Sequence, residues 1–273
     1  MVAFRAACVQ LRSSDDVAEN VRTASALIRE AAAQGATFIA TPENTTLMAP
    51  DGGAKLAQSF AESHDPALPQ FAALAEELGI WLLIGSLAIK VSDTKTANRS
   101  FLIDPKGRIT ARYDKIHLFD VDLPSGEKYR ESNTVAGGDA AVLADLPWGK
   151  VGLTICYDLR FPQLYRALAK SGAFALTVPS AFTETTGKAH WHVLLRARAI
   201  ENGAFVIAPA QGGHHVNGRK TYGHSLIVAP WGEILAEAGV DPCVIVADID
   251  PEAAKDSRMR IPNLQHDRAF TGP

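Results

Sequence analysis

The 273 residues are 47% hydrophobic and 21% charged, which excludes a disordered chain and supplies apolar material for a large core. A formal net charge of −3 without a basic tract gives no electrostatic reason to expect nucleic acid or an anionic membrane, so the expected partner is a small molecule. The three cysteines, Cys8, Cys156 and Cys243, are odd in number and spaced unlike any zinc or redox pair, which argues against a disulfide scaffold.

From the amino terminus, runs rich in Val, Ile, Phe and Thr predict strands, and amphipathic stretches predict helices. A strand over 4–9 precedes a helix over 15–34, with Ser14 or Asp15 as N-cap and Gly35 as its stop. Strands follow over 37–41 and 80–87, separated by a helix over 66–78. Strands over 99–103 and 109–113 flank the turn Asp104-Pro-Lys-Gly107. A strand over 151–156, a helix over 162–170, a strand over 174–178 and a helix over 189–202 come next. Strands over 204–208, 225–228 and 244–249, a turn at Pro230-Trp-Gly232 and a helix over 251–259 complete the order. Alternating strands and helices imply parallel pairs, and the turns imply antiparallel additions at the margins. Two packed sheets with helices outside fit this α/β pattern better than a plain doubly wound sheet. No linker or tandem repeat interrupts it, so residues 1–273 are expected to form one domain. The amino terminus lacks the pattern of a secretory signal and no apolar run is long enough to span a membrane, so the expected location is the cytoplasm.

Cys156 ends the run Val151-Gly-Leu-Thr-Ile-Cys156 and is followed by Tyr157-Asp-Leu-Arg160-Phe-Pro162. This predicts a thiol at a sheet rim beside the positive end of a helix, where its thiolate is favoured. A nucleophilic cysteine needs a proton acceptor and a group that stabilises an oxyanion. Glu43 and Lys115 also follow predicted strands, and strand ends of an α/β sheet gather at one rim. Each also has an ordinary reading: a cysteine packed in a core, a capping glutamate, an exposed lysine. Cys8 and Cys243 read as core residues. Among the eight histidines, His190 and His192 lie two apart on a predicted helix and do not face each other, while His214 and His215 sit in a glycine-bounded loop. Zinc-protease, paired-cysteine, phosphate-loop and dinucleotide motifs are all missing, so no metal or cofactor is expected.

Thr41-Pro-Glu43, Tyr113-Asp-Lys115-Ile-His and Gly152-Leu-Thr-Ile-Cys156-Tyr-Asp-Leu-Arg160-Phe-Pro162 resemble, in order and spacing, the three catalytic motifs of the nitrilase superfamily of carbon–nitrogen hydrolases. Further matches, including Glu131-Ser, Pro179-Ser-Ala-Phe182 and Tyr222-Gly-His224-Ser225, extend the likeness over residues 4–270. The resemblance implies a four-layer α-β-β-α sandwich that pairs into a homodimer or higher even oligomer, with the tail, about 261–273, at the subunit interface. It also implies a cofactor-free amidase. Glu43 matches the general base, Lys115 the cation beside the tetrahedral intermediate, Cys156 the nucleophile and Glu131 a second glutamate, and the Tyr157 backbone N–H would complete the oxyanion site. Attack by sulfur on an amide would give a thioester and release ammonia, and Glu43-activated water would free the acid.

Within the superfamily the carboxy-terminal half, with Thr186 to Glu201 and Ala210-Gln-Gly-Gly-His-His215, is more similar to Nit-type deaminated glutathione amidases than to ω-amidases acting on α-ketoglutaramate. Lys188 stands where these proteins often show proline, and Gln163 where they often show glutamate. Such substrates carry a carboxylate, for which Arg160, Lys188, His190 and His214 are the candidate partners, with Phe182 and Trp191 as candidate lining. Arg160 reads equally as a brace of the nucleophile turn, and Arg196, Arg198 and Glu201 as structural or interface pairs. The ω-amidase, aliphatic amidase and N-carbamoyl hydrolase readings stay open, as do an inert binding protein on the same fold and a thiol redox enzyme.

Overall fold

The computed structural model describes residues 2–124 and 126–272. In chain order the elements are β1 (Phe4–Gln10), α1 (Val17–Ala33), β2 (Phe38–Ala40), α2 (Gly52–Ala57), α3 (Leu68–Leu78), β3 (Trp81–Lys90), β4 (Thr96–Ile103) and β5 (Ile109–Asp114). Then come β6 (Asp120–Asp122), β7 (Lys128–Arg130), β8 (Val135–Ala136), β9 (Val142–Leu146), β10 (Gly149–Leu153), α4 (Pro162–Lys170), β11 (Ala173–Thr177) and α5 (Glu184–Asn202). The remainder are β12 (Phe205–Ala208), β13 (Gly212–His214), β14 (Lys220–Tyr222), β15 (Leu226–Val228), β16 (Ile234–Glu237), β17 (Cys243–Ile249) and α6 (Pro251–Arg260).

One sheet runs β17-β1-β2-β3-β4-β5, with β8 beside β4, and the other runs β16-β15-β12-β11-β10-β9. In each sheet a parallel centre, β1-β2-β3 or β10-β11-β12, is extended by antiparallel strands. Period-two alternation explains how the layers stack. In β1, Ala7 and Val9 pack with Val21, Ala24, Ile28 and Ala31 of α1 and with Phe71 and Leu74 of α3. Ala6 and Cys8, between them, face the opposite way and join a core with Val206 and Ile227 of the second sheet and Trp191, Leu195 and Ala199 of α5. The result is helices, sheet, sheet, helices, the four-layer sandwich.

Several boundaries differ from those the sequence predicts, each for a local reason. The cap of α1 is Asp16, whose carboxylate accepts from the Glu19 N–H at 2.9 Å; Ser14 instead accepts from the Asp16 N–H. Helix α5 starts at Glu184, well before position 189, because Thr183 caps it through the Thr186 N–H. The β-branched threonines and Gly187 there read as non-helical. Gly187 is required by packing, since a Cβ would come within 2.2 Å of the Tyr222 side chain. The hairpins β6–β7 and β13–β14, strand β9 and helix α2 have no predicted counterpart, being short and partly polar. Cys8 is fully buried, as a core cysteine should be, while Cys243 on the edge strand β17 is only half-buried. The tail beyond α6 is exposed, with Ile261 and Phe270 presenting apolar side chains to solvent; Pro273, like Met1, lies outside the described residues. Among the described residues, no helix is long and apolar enough to cross a membrane.

Candidate active site

Glu43 sits three residues past β2, in a turn fastened from several sides. Thr41 Oγ1 meets Thr45 Oγ1 at 2.8 Å and accepts from the Gly85 N–H at 3.0 Å, and the Asn44 N–H donates to Ser86 Oγ at 2.9 Å. Gly85 allows this approach: a Cβ there would lie 2.0 Å from the Thr41 carbonyl oxygen. Lys115 directly follows β5, and its N–H donates to Asn98 O of β4 at 3.0 Å. Glu131 opens the short turn after β7, where its carboxylate accepts from the Phe119 N–H at 2.7 Å.

These three side chains meet. Lys115 Nζ lies 2.8 Å from Glu43 Oε1 and 2.9 Å from Glu131 Oε2, with the lysine only 2% exposed. Asn98 Nδ2 donates to Glu43 Oε1 at 2.9 Å and to Glu131 Oε1 at 3.2 Å. The other Glu43 oxygen accepts from the Ala181 N–H at 2.9 Å. Every carboxylate oxygen of Glu43 is therefore aimed by a donor from a different segment.

Cys156 faces the same cluster. Strand β10 ends at Leu153, and Cys156 opens a tight turn, Cys156–Arg160, with φ of 49°. A non-glycine residue in this left-handed region is strained and has to be held there. Asp158, fully buried, supplies the hold: it accepts from Ile155 N–H at 2.9 Å, Tyr113 Oη–H at 2.7 Å and His117 N–H at 3.0 Å. The Cys156 N–H donates to Pro179 O at 3.0 Å. The brace is thus Asp158 and not Arg160.

The charges set the protonation states. Burial alone would raise the Glu43 carboxyl, but Lys115 outweighs it, with a smaller contribution from Cys156, and holds the group down at about 2. Burial would discharge Lys115, yet Glu131 and Glu43 keep its amine charged well above the ordinary lysine value. The Cys156 thiol is pushed up, first by burial and then by the Glu43 carboxylate, with Lys115 opposing. This reverses the expected resting thiolate. Helix α4 begins only at Pro162, so its dipole does not act at Cys156, and desolvation favours the neutral thiol.

A cavity of about 440 Å³ opens onto Glu43, Lys115, Glu131 and Cys156. Tyr157, Phe182, Lys55, Tyr129, Arg130 and Arg219 are among the other residues that line it. Of the residues the sequence suggested for substrate contact, Phe182 lines the cavity and Arg160, Lys188, His190 and His214 do not. Arg160 lies against the Tyr157 and Phe182 rings and reaches His190 Nδ1 at 3.3 Å. Lys188 pairs with Glu184 one helical turn away at 2.7 Å, and His214 is exposed on β13. Trp191 is buried in the core behind Phe182 and donates to His224 O at 2.7 Å. Arg198 pairs with Glu201 at 2.9 Å, a structural contact.

Asn98, Lys55 and Arg219 are not among the residues that the sequence motifs single out. A polar Asn98 at a core-facing position of β4 was a usable signal; Lys55 and Arg219 carried none, since each lies in a short segment without a motif. Away from the cavity, His192, His224 and Glu237 bring three potential metal-ligand atoms within 4.8 Å of one another, and both imidazoles hydrogen-bond the Glu237 carboxylate at 2.9 and 3.0 Å.

The family model for carbon-nitrogen hydrolases matches residues 5–259. The chain belongs to this family. It is 44% identical over 271 residues to the deaminated glutathione amidase of a Synechocystis strain, covering 97% of this chain and 98% of that one. It is also 37% identical to the human omega-amidase NIT2, covering 98% and 96% of the two chains. Among solved structures, the C. elegans NitFhit protein superposes with a TM-score of 0.91 at 35% identity, covering 97% of this chain and 65% of that longer one. The buried acid–lysine–acid cluster facing a thiol is therefore found in a carbon–nitrogen hydrolase acting on amides.

Proposed function

We propose that this hydrolase is a thiol amidase whose substrate is deaminated glutathione, which it cleaves to 2-oxoglutarate and cysteinylglycine as a metabolite-repair reaction. The observation that carries the chemistry is the Lys115 ammonium clamped between Glu43 and Glu131 at 2.8 and 2.9 Å beside the Cys156 thiol. Because Lys115 keeps Glu43 ionised while burial keeps Cys156 protonated, proton transfer is coupled to attack. The sulfur bonds to the amide carbon as its proton passes to Glu43. Lys115 and the Tyr157 backbone N–H stabilise the oxyanion. Glu43 then hands the proton to the leaving nitrogen, the C–N bond breaks and a thioester remains. Water, deprotonated by Glu43, attacks the thioester, the C–S bond breaks and the thiol is restored. With this substrate the leaving group is the amine of cysteinylglycine, whereas ammonia leaves only from a primary amide such as α-ketoglutaramate.

The substrate assignment rests on the identity to deaminated glutathione amidases, and the ω-amidase reading follows it at lower identity. Side-by-side kcat/KM on deaminated glutathione, α-ketoglutaramate and an N-carbamoyl amino acid ranks the readings. The highest value on deaminated glutathione is expected, and a higher one on α-ketoglutaramate reverses the order. Turnover by a folded Cys156→Ala variant would remove the mechanism, and an inactive wild-type chain would favour a binding protein. The same reading includes one domain, a cytoplasmic location and a dimer or larger even oligomer. The oligomer rests on the likeness to the nitrilase superfamily. Light scattering on the purified chain tests it, a monomer being the adverse result.

A further inference from the structure

The cavity holds more positive charge than its own carboxylates balance. Lys115 is matched by Glu43 and Glu131, Arg130 pairs with Asp122, Asp51 caps α2, and Lys128 at the start of β7 is exposed to solvent. Lys55 and Arg219 line the same cavity, and among the described residues neither forms a direct ion pair with a carboxylate. Among the described residues, Lys55 Nζ has only the Asn44 side-chain carbonyl, at 2.9 Å. Its amine is drawn down by burial, with Glu131 and Glu43 across the cavity opposing. Arg219 donates through Nη2 to Ala181 O at 2.7 Å, and among the described residues its Nη1 has only Met48 Sδ at 3.9 Å. Its Nε is buried and meets no acceptor among the described residues. A buried donor without an acceptor is costly, and a charged acceptor supplied by a ligand relieves that cost.

The two cations are also held in place before any ligand arrives. Asn217 donates to Ala49 O at 2.9 Å and Met48 O at 3.1 Å while its Oδ1 accepts from the Arg219 N–H at 3.0 Å. These bonds tie the segment leading to α2, which carries Lys55, to the β13–β14 loop, which carries Arg219. Tyr129 lies beneath the guanidinium, 5.4 Å from ring centre to Cζ, and limits its swing. Preorganised cations bind an anion without the entropy of gathering them.

We propose that Lys55 and Arg219 form a carboxylate-binding subsite beside the triad, so that the preferred substrates are linear amides carrying a carboxylate away from the scissile bond. This rests on the amidase reading above and gives it a residue-level basis for substrate choice. Arg160, Lys188, His190 and His214 lie outside the cavity and have no part in it.

The test compares two amides that differ at one end: α-ketoglutaramate and 4-oxopentanamide, in which a methyl group replaces the carboxylate. The wild-type enzyme is expected to favour the anionic amide in kcat/KM. In Lys55→Met and in Arg219→Met that preference falls by roughly 10- to 100-fold, chiefly through KM, and Arg219→Lys recovers part of it. Arg219 also holds the Ala181 peptide that binds Glu43, so Lys55→Met and the partial rescue separate charge from positioning. A second readout needs no turnover: glutarate, but not neutral glutaramide, slows iodoacetamide labelling of Cys156, and about tenfold more glutarate is required in either Met variant. An unchanged preference in both variants, or glutarate protecting no better than glutaramide, overturns the subsite. No turnover of either amide by the wild-type chain would instead overturn the amidase reading and leave the protection of Cys156 by glutarate as the measure of the subsite.

Discussion

Two charged clusters lie one residue apart on the same pair of strands and meet opposite fates. Asn98 on β4 and Lys115 just past β5 turn inward to Glu43 and Glu131, while their neighbours Arg99 and Asp114 turn the other way. There Arg99 binds Asp114 at 2.6 Å and Glu62 at 2.8 Å, and Arg112 binds Glu62 at 2.7 Å. Arg99 and Asp114 remain 20% and 31% exposed, whereas Lys115 is 2% exposed. Strand alternation alone separates them. The outer network keeps contact with solvent, which screens its charges. In the inner cluster each ion depends on its partners, because desolvation penalises any charge left unmatched.

The contrast can be tested by breaking each cluster in turn. The largest effect on activity is expected from Glu43→Gln, which keeps the shape but removes the proton acceptor; kcat should fall by roughly 10²- to 10⁴-fold, read in a steady-state assay. A smaller loss would assign the proton to another group. Lys115→Met should add a stability loss of about 3–5 kcal/mol, since it leaves two carboxylates facing each other without their cation. Urea unfolding measures it, and a change below about 1 kcal/mol would mean the inner cluster is no more interdependent than the outer one.

Acid dissects the same cluster. The Glu43 carboxyl falls from its ordinary value of 4.5 to about 2 in the folded chain, so between these values the unfolded state binds the proton first. Its contribution is fully present above pH 4.5 and is lost as pH falls toward 2. Glu43→Gln should therefore flatten the stability profile in that window, and an unaltered slope would assign acid sensitivity elsewhere. His215 acts at milder pH. Buried between Ser13 O and Thr221 Oγ1, its imidazole is lowered by desolvation from 6.5 to about 4. The neutral form is the folded one, so stability present above pH 6.5 declines as pH falls toward 4, by on the order of 3 kcal/mol. Replacing His215 by Gln should remove that slope in urea titrations at pH 7 and 5. The smallest effect belongs to the outer network. A double-mutant cycle of Arg99→Ala and Asp114→Ala should give a coupling of about 1 kcal/mol or less, sensitive to salt. A coupling of several kcal/mol would erase the distinction between the two faces.

Much of the inner cluster was legible before folding. Glu43, Lys115 and Cys156 each follow a strand-like run, and strand ends share a rim, so their meeting was a topological expectation. Asp158 was visible as a polar residue after the nucleophile, although its role as a brace was not. Of the substrate-contact candidates near the motifs, Phe182 lines the cavity while Arg160, Lys188, His190 and His214 lie outside it. Arg160 and Lys188 are close to Cys156 or Phe182 in sequence, yet a turn directs one toward His190 and a helical register directs the other toward Glu184. Lys55 and Arg219 come from short segments without a motif, joined by the side chain of Asn217.

By itself the sequence determined the alternation that builds two sheets, the helices that cover them and the residue types able to attack an amide. Those properties are local, fixed by side-chain periodicity and by the chemistry of each group. The tertiary structure decided which groups lose water together. It made the Cys156 thiol neutral, held Glu43 ionised and, among the described residues, left Lys55 and Arg219 without carboxylate partners, because desolvation and Coulomb energy depend on neighbours that the chain supplies from distant segments.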